Sequence, residues 1–214
     1  MSRLPPGRHG LPREFVARNQ RERLIAGLAE AVAENGYAGT TIAHITRHAA
    51  VSRRTFYEHF NSKEECFVAA YDTVMTELRR RVDDAFNQED EWAQAVRAGI
   101  AAMLGYLSSE PHLARLSMVE ALVAGPVVVE RYDAAIQGLV PYFEAGRDGR
   151  PAEVLAGLSP STEEALIGGM ISLISRRVFA DRTTELEALL PDLVEFTLTP
   201  YLGNAEAAKV ARER

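Results

Sequence analysis

The stretch AAVSRRTFYEHF, residues 49–60, combines two adjacent arginines with two phenylalanines four positions apart. Residues four apart share one face of a helix, so Phe56 and Phe60 are predicted to point into a core. Ser52 precedes them with a hydroxyl that can accept the backbone N–H near Thr55, which is a typical helix start. The stretch therefore predicts a short helix with an apolar inner face and a basic outer face.

A second short helix is predicted directly upstream. Thr40 and Thr41 can cap it, and Ile42, Ile45 and Ala49 recur at the spacing of one apolar helix face. A longer helix that ends at an Asn-Gly pair precedes both. Two short helices joined by a tight turn and packed on a longer one form a helix-turn-helix, whose second helix enters the major groove of DNA.

The outer face of the second short helix carries side chains suited to DNA. Arg53 and Arg54 can bond guanine O6 and N7, and Thr55 can meet a thymine methyl or a phosphate. The polar tips of Tyr57 and His59 suit phosphate oxygens. The alternative is a solvated basic surface beside an aromatic core pair, because a charge pair on a short helix is often only exposed surface.

Charge is distributed unevenly along the chain, whose net charge is −6. Residues from Met1 to Lys63 contain ten Lys or Arg against five Asp or Glu, whereas the remainder contains fourteen against twenty-five. The acidic balance of the whole chain argues against a general nucleic-acid binder, and the basic balance of the first third favours DNA binding there.

Residues 40–67, TTIAHITRHAAVSRRTFYEHFNSKEECF, closely resemble the DNA-binding signature of TetR-type (TetR/AcrR) transcriptional regulators. The resemblance extends over about residues 24–71 and matches many positions in order without gaps. It implies base contacts by the two arginines and Thr55, and phosphate contacts by the tyrosine, histidine and lysine. The implied DNA-binding residues are Thr41, Arg53, Arg54, Thr55, Tyr57, His59 and Lys63.

The turn between the two short helices departs from that signature. Ala50 stands where glycine is usual, and it should cost about 1 kcal/mol if the backbone there needs a positive φ. His44 and Thr46 also differ from the common acidic residue and alanine, but they lie off the recognition face. These departures leave the predicted function unchanged.

The remainder of the chain is predicted to be helical, because apolar residues recur at helical spacing and no run alternates as in a strand. Further helices are predicted over residues 63–86, 91–109, 111–124, 127–146, 161–180 and 184–199, the first opened by a Ser62–Glu65 capping box. The predicted fold is all-α, an N-terminal three-helix helix-turn-helix domain followed by a helical effector-binding and dimerisation domain. The predicted division is a flexible basic arm over 1–11, the helix-turn-helix over 12–62, the helical domain over 63–204 and a tail over 205–214.

The N-terminal arm, SRLPPGRHGLPR, contains Arg3, Arg8 and Arg13. Basic arms can reach the minor groove or phosphates beside the main contact. A disordered terminus without contacts is the equal alternative.

The resemblance also implies a small-molecule pocket and a dimer interface in the second domain. The candidate ligand-binding residues, which could equally be simple core, are Trp92, Met103, Tyr106, Met118, Leu122 and Tyr142. A pocket so lined suits an apolar or aromatic effector. The last two long helices resemble the family's dimerisation pair, although they could pack within one subunit. The candidate interface residues are Gly168, Gly169, Ile171, Ser172, Ser175, Leu189, Leu193 and Phe196.

Other chemistries have little support in the sequence. His44 and His48 are spaced as metal ligands but lack a third, and Cys66 is either a core thiol or, at a helix start, a redox-sensitive one. Neither a nucleophile elbow nor a glycine-rich phosphate loop is present, so no enzyme, cofactor or metal is expected. A single cysteine and the lack of a signal segment or an apolar run of 18 residues predict a cytoplasmic protein outside the membrane.

These observations predict a homodimeric transcriptional repressor that a small-molecule effector releases from a palindromic operator on double-stranded DNA. The alternative is an all-helical small-molecule or protein-binding module without specific DNA reading.

Overall fold

The computed structural model describes residues 12–213, which form twelve α-helices and no strand within that range, so the all-α prediction is confirmed. The helices are α1 (Arg13–Gly39), α2 (Ile42–Ala49), α3 (Arg53–His59), α4 (Lys63–Phe86), α5 (Trp92–Ser109), α6 (Pro111–Met118), α7 (Pro126–Gln137), α8 (Val140–Glu144), α9 (Ala152–Ala156), α10 (Thr162–Phe179), α11 (Leu190–Leu202) and α12 (Asn204–Arg212). Short 3₁₀ turns cover Glu120–Val123, Ala145–Arg147, Thr183–Glu185 and Glu187–Leu189.

Three predicted helices of the second domain are shorter in the structure. The helix expected over 111–124 ends at Met118 and continues as a 3₁₀ turn, and the one expected over 127–146 divides into α7 and α8. Pro141 lies in the first turn of α8, where its missing N–H costs nothing, whereas inside one long helix it would remove a hydrogen bond. The residues before Leu190 form two 3₁₀ turns instead of the start of α11.

The predicted tail forms a helix of its own. Gly203 has φ +75°, which separates α12 from α11. Ala207, Val210 and Ala211 are buried, and α12 contacts both α5 and α11. Residues 204–212 therefore belong to the packed bundle.

The helix ends around the helix-turn-helix follow the predicted capping chemistry. The Asn-Gly stop is real, because Gly36 has φ +65° and interrupts α1. Ser52 accepts the backbone N–H of Thr55 at 3.0 Å, and Ser62 accepts that of Glu65 at 3.0 Å. The Glu65 carboxylate accepts the backbone N–H of Asn61 at 2.7 Å, one residue earlier than a regular capping box requires.

Two hydrophobic cores share α4. Phe67 and Tyr71 belong to the core of the helix-turn-helix, while Val74, Leu78 and Val82 belong to the core of the second domain. Residues after α4 also enter the first core, namely Leu116, Ala121, Ala124 and Val128. The domain boundary at residue 62 remains a prediction, because the helix that follows it packs on both sides.

The turn of the helix-turn-helix has the left-handed backbone that Ala50 disfavours. Ala50 has φ 50° and ψ 47° and forms the C-cap of α2. The Arg23 guanidinium donates hydrogen bonds to the carbonyls of Ala49 and Ala50, the latter at 2.8 Å. Because Arg23 precedes the turn by 26 residues or more, no local pattern predicts that these hydrogen bonds stabilise it.

Ala50→Gly is expected to raise the free energy of unfolding by about 1 kcal/mol, because glycine adopts a positive φ without a steric cost. Urea unfolding followed by circular dichroism would measure the change. Ala26→Gly, at an exposed position of α1, is the matched control and should lower stability by about 1 kcal/mol. Equal destabilisation by both variants would contradict the strain at Ala50.

Candidate DNA-binding interface and ligand cavity

The recognition helix α3 is held to the protein by its two phenylalanines. The side chains of Phe56 and Phe60 are 0% and 2% exposed and lie among residues of α1, α2 and α4. Burying each such ring contributes roughly 1.5–3 kcal/mol relative to exposing it. This anchor fixes which side of α3 points outward.

The outward side of α3 carries Arg53, Arg54 and Tyr57, all exposed. The Arg53 guanidinium lies 5.8 Å from the centre of the Tyr57 ring, and Arg54 donates to Glu58 at 3.1 Å. An exposed ion pair of this kind is worth little in water, so Arg54 can exchange it for a base edge or a phosphate. Both guanidinium groups are therefore available for DNA.

The other candidates on this surface are partly engaged within the protein. The Thr55 hydroxyl lies 2.9 Å from that of Ser52, and His59 Nε2 lies 3.3 Å from the Gln20 side-chain oxygen. Thr41 is exposed and caps α2 by accepting the backbone N–H of His44 at 3.3 Å. Their contacts with DNA remain predictions.

Lys63 forms hydrogen bonds within the protein that its position in the sequence does not predict. Its ammonium donates to the carbonyls of Tyr37 at 2.7 Å and Thr40 at 2.9 Å, and it lies 4.0 Å from the centre of the Tyr37 ring. Burial lowers the pKa of Lys63. These bonds join the end of α1 to the start of α4 and leave one N–H for a phosphate, so the predicted phosphate contact stays a prediction.

Arg13 opens α1 and is exposed, whereas the predicted arm contacts of Arg3 and Arg8 lie outside the described residues.

The histidines and the cysteine singled out in the sequence have defined surroundings in the structure. His48 lies between Glu30 and Glu34, at 2.9 Å and 3.1 Å, and so links α2 to α1. Within residues 12–213 no group of three His, Cys, Asp or Glu side chains is arranged to hold a metal. Cys66 is fully buried, and burial raises the pKa of its thiol to about 12, which favours the core interpretation over redox sensing.

A cavity of about 580 Å³ lies between α4, α7 and the helices beneath them. The cavity wall is largely apolar and includes Tyr71, Met75, Leu78, Val82, Met103, Met118, Ile136, Leu139 and Ile171. Its charged residues are Asp72, Arg79 and Arg131. The size and the few polar groups are typical of small-molecule sites.

The predicted ligand-binding residues divide between this cavity and other places. Met103 and Met118 line the cavity, and Tyr142 lines a smaller neighbouring one. Trp92 donates to the Tyr142 carbonyl at 2.8 Å, and Tyr106 lies beneath the Arg81 guanidinium, 4.8 Å away. Neither lines the cavity, and Leu122 is 51% exposed to solvent.

The charged cavity residues were not predicted. Asp72, Thr76 and Arg79 follow helical spacing on one face of α4, a signal visible once that helix is known. Arg131 comes from α7, and no local pattern brings it to the same place.

The predicted dimer residues separate into buried and exposed groups. Ile171, Leu189 and Leu193 are at most 7% exposed and pack in the core of the second domain, so they cannot lie on a protein surface. Gly168, Ser172 and Phe196 are exposed, and Gly169 and Ser175 are half-buried. A Cβ at Gly169 would lie 3.0 Å from the Phe196 ring, so the glycine lets that ring cross α10 closely.

None of the helices within residues 12–213 is both long enough and apolar enough to cross a membrane.

Comparison with known proteins agrees with this geometry. Residues 24–70 match the profile of the family described as bacterial regulatory proteins, tetR family. Over 192 residues the chain is 27% identical to the nucleoid occlusion factor SlmA of Sodalis glossinidius (strain morsitans), covering 85% of this chain and 96% of that protein.

Solved structures share the fold over most of the chain. The fatty acid degradation regulator FadR of Bacillus halodurans superimposes with a TM-score of 0.73 at 16% identity, over 87% of this chain and 96% of that one. FadR of Bacillus subtilis, solved in complex with stearoyl-CoA, gives 0.68 at 18% identity, over 85% and 98%. The helix-turn-helix and its profile match assign residues 24–70 to the tetR family of bacterial regulatory proteins, and the rest of the chain continues in the fold that the FadR structures share.

Proposed function

We propose that the protein is a homodimeric repressor that binds a palindromic operator through α3 and is released by a small molecule in the cavity beside α4. The observation that carries the proposal is the outer face of α3, where Arg53, Arg54 and Tyr57 are exposed above a buried Phe56–Phe60 anchor. Arginine in the major groove can bond guanine bidentately, and this supplies sequence specificity.

DNA reading in the proposed complex combines two kinds of contact. The two arginines of α3 meet base edges, while Tyr57, His59 and the remaining N–H of Lys63 hold phosphates and fix the register. One recognition helix reads few base pairs, so a two-fold pair reading a palindrome provides the specificity that a regulator needs.

The exposed face of α10 and α11 is the proposed dimer interface. Gly168 and Ser172 have small side chains, so another helix can approach the exposed face of α10 closely. On α11 the Phe196 ring is 44% exposed. An exposed phenylalanine beside small residues allows helices of two subunits to pack closely in an isologous four-helix bundle.

The helix α4 is the proposed connection between effector and DNA. Tyr71 lies in the core of the helix-turn-helix and also lines the cavity, so a ligand there contacts the support of the recognition helix directly. The Glu120 carboxylate provides a second link between the two domains. It accepts the backbone N–H of Tyr37 in α1 at 2.8 Å and pairs with Arg115 in α6 at 3.4 Å. A ligand that favours another position of α4 would change the separation of the two recognition helices and weaken operator binding.

The proposal includes a cytoplasmic location and no catalytic activity. A regulator of this kind works where the chromosome is, and its function requires binding equilibria without turnover.

Selection from random-sequence duplex DNA tests the proposal. The purified protein is expected to enrich a palindromic site at moderate salt, because a two-fold dimer presents two equal recognition helices. Failure of a folded dimer to enrich any sequence at low salt would favour the alternative, an all-helical ligand or protein-binding module without specific DNA reading.

A variant of the interface completes this test. Phe196→Glu should yield a monomer in sedimentation and lose the palindromic preference, because a charge on each subunit would face its equivalent near the two-fold axis. Phe15→Glu, at a 48% exposed position of α1, is the matched control and should remain dimeric. A dimeric Phe196→Glu protein would place the interface elsewhere.

The sequence relatives support a second candidate function. Their name describes nucleoid occlusion, and the likeness extends over 85% of this chain. In that case α3 still reads DNA, but small molecules leave operator binding unchanged. Screening effectors against the selected site separates the two candidates.

A further inference from the structure

Within residues 12–213, a single hydrogen bond joins helices α1–α3 to the chain that follows α4. The backbone N–H of Tyr37, near the end of α1, donates to the Glu120 carboxylate at 2.8 Å. Leu116, Ala121 and Ala124 add apolar contacts by entering the core of the helix-turn-helix. The Tyr37–Glu120 bond therefore supplies the directional part of the contact between the two domains.

Tyr37 offers this N–H beside an interruption of the helix. Gly36 has φ 65° and ψ 166° within α1, outside the helical region. The carbonyl of Tyr37 accepts the Lys63 ammonium at 2.7 Å. Tyr37 thus connects Glu120, in the second domain, to the first residue of α4, whose remaining N–H is proposed to hold a phosphate.

The Glu120 carboxylate is itself held in place. Glu120 is 6% exposed, and Arg115 Nε lies 3.4 Å from its Oε1. The Arg115 guanidinium also donates to the carboxylate of Asp181, just after α10, at 3.3 Å. Arg115 belongs to α6, which packs against both α1 and α10. The Glu120 carboxylate is therefore fixed to the same frame as the proposed dimer face of α10.

The Tyr37–Glu120 bond constrains the position of the recognition helix more than the surrounding apolar contacts do. Apolar burial is non-directional, so such contacts survive a small sliding of one surface over another. A hydrogen bond needs a donor–acceptor distance of about 2.7–3.2 Å and a nearly straight angle. Since α1 and α3 share one core, a displacement of the end of α1 also displaces α3. In a dimer the displacement occurs twice and changes the separation of the two recognition helices.

We propose that Glu120 is a positioning residue for DNA recognition, and that its hydrogen bond to Tyr37 sets the half-site spacing that the operator must have. This inference rests on the proposed dimeric reader of a palindrome. Half-sites one turn apart are separated by about 34–36 Å, so one added base pair moves a half-site by about 3.4 Å and turns it by about 35°. A helix-turn-helix held rigidly against the dimer frame discriminates such steps, whereas a loosely held one tolerates them.

Operators that differ in spacing test the inference. The selected palindrome is shortened or lengthened at its centre, and fluorescence anisotropy measures the affinity for each operator and for a duplex with one half-site. The wild type should lose at least about 10-fold in affinity for a change of one base pair, because its recognition helices have one separation. Glu120→Ala should lose less than about 3-fold, because a broader set of separations includes some that match. Its affinity for the single half-site should stay within about 2-fold of the wild type, since α3 is unchanged.

Further variants separate the position of the carboxylate from folding. Glu120→Asp keeps the charge but draws the carboxylate back by about 1.5 Å, beyond hydrogen-bond distance from Tyr37, and should relax the spacing preference as alanine does. Glu120→Gln keeps an acceptor oxygen in place and should retain the preference. Glu130→Ala removes an exposed carboxylate from α7 and is the matched control, expected to bind as the wild type. An undiminished preference in both Glu120→Ala and Glu120→Asp would overturn the inference.

The separation of the recognition helices can also be measured without DNA. Glu58→Cys places a spin label on the exposed side of α3, while the native Cys66 is fully buried and escapes labelling. Pulsed electron paramagnetic resonance should give one narrow distribution of distances between the two labels of a dimer. Glu120→Ala and Glu120→Asp should broaden this distribution at least about 2-fold, whereas Glu120→Gln should not. Equal widths in all of these proteins would contradict the role of Glu120.

The two measurements distinguish the inference from the proposed function. A wild-type protein without a distance between labels, or without a palindromic preference, would contradict the proposed dimeric reader and the inference with it. A wild-type protein with one preferred spacing, unaltered in the Glu120 variants, would overturn the inference alone and leave the dimeric reader intact.

Discussion

The double variant Arg53→Ala/Arg54→Ala is expected to bind the selected operator at least about 100-fold more weakly than the wild type. Each bidentate arginine–guanine contact discriminates by roughly 1–3 kcal/mol, and the two arginines stand on the exposed face of a well-anchored helix. Fluorescence anisotropy with a labelled operator would measure the loss. Binding to unrelated DNA should weaken less, because it depends on phosphate contacts.

A control with equal change in charge isolates the position of the arginines. Arg80→Ala/Arg182→Ala removes two exposed arginines of the second domain, each paired on its own surface. This variant should retain operator affinity within about 3-fold, because surface charges beyond a Debye length are screened. Equal losses in both double variants would mean that net charge, and not α3, governs binding.

Arg147→Ala is expected to lower the free energy of unfolding by about 3 kcal/mol. Arg147 donates to both oxygens of Glu163, at 2.7 Å and 2.8 Å, and the Tyr201 hydroxyl donates to the same carboxylate at 2.8 Å. The Glu163 side chain is 4% exposed, so removal of the arginine leaves a buried carboxylate without its cation. Urea unfolding at neutral pH would measure the change.

The Arg182–Glu185 pair provides the exposed control, since both side chains are about half accessible. Arg182→Ala should lower the free energy of unfolding by less than about 0.5 kcal/mol, because exposed ion pairs usually contribute little to stability. If Arg147→Ala and Arg182→Ala lowered the free energy of unfolding by similar amounts, burial of Glu163 would not strengthen the contribution of its ion pair to stability.

The same network gives stability a dependence on pH. The hydrogen bonds from Arg147 hold the pKa of Glu163 below its ordinary value. The stabilisation is therefore complete above the unfolded-state pKa, about 4.3, and is lost as the pH falls through the folded-state value. Glu163→Gln should remove this part of the acid-side decline, and an unchanged pH profile in that variant would contradict the assignment.

The helix caps and turns of this fold were predictable from sequence because the interactions that form them join residues within about one helical turn. The caps at Ser52 and Ser62 accept N–H groups three residues ahead, as predicted. The stop at Gly36 and the strained turn at Ala50 require only the local φ preference of each residue type. The inner face of α3 followed from two phenylalanines four apart.

The helical domain was less predictable, because periodicity identifies an apolar face but not what covers it. Ile171 and Leu193 lie on predicted dimer stripes and are buried inside the subunit, whereas Phe196 of the same stripe is exposed. Gly138 and Pro141 interrupted the helix that periodicity alone would have continued through residues 127–146, whereas the segment from Met118 to Ala124, which turns into a 3₁₀ turn, contains neither residue type.

The sequence by itself determined the all-α class, the helix-turn-helix and the face of α3 that points outward, because caps, turns and helical spacing are local. The tertiary structure alone decided the hydrogen bonds of Lys63 with carbonyls 26 and 23 residues earlier, and the approach of Arg131 to Asp72 in the cavity wall. Such contacts join segments that are far apart in the chain, and only the packing of whole helices brings them together.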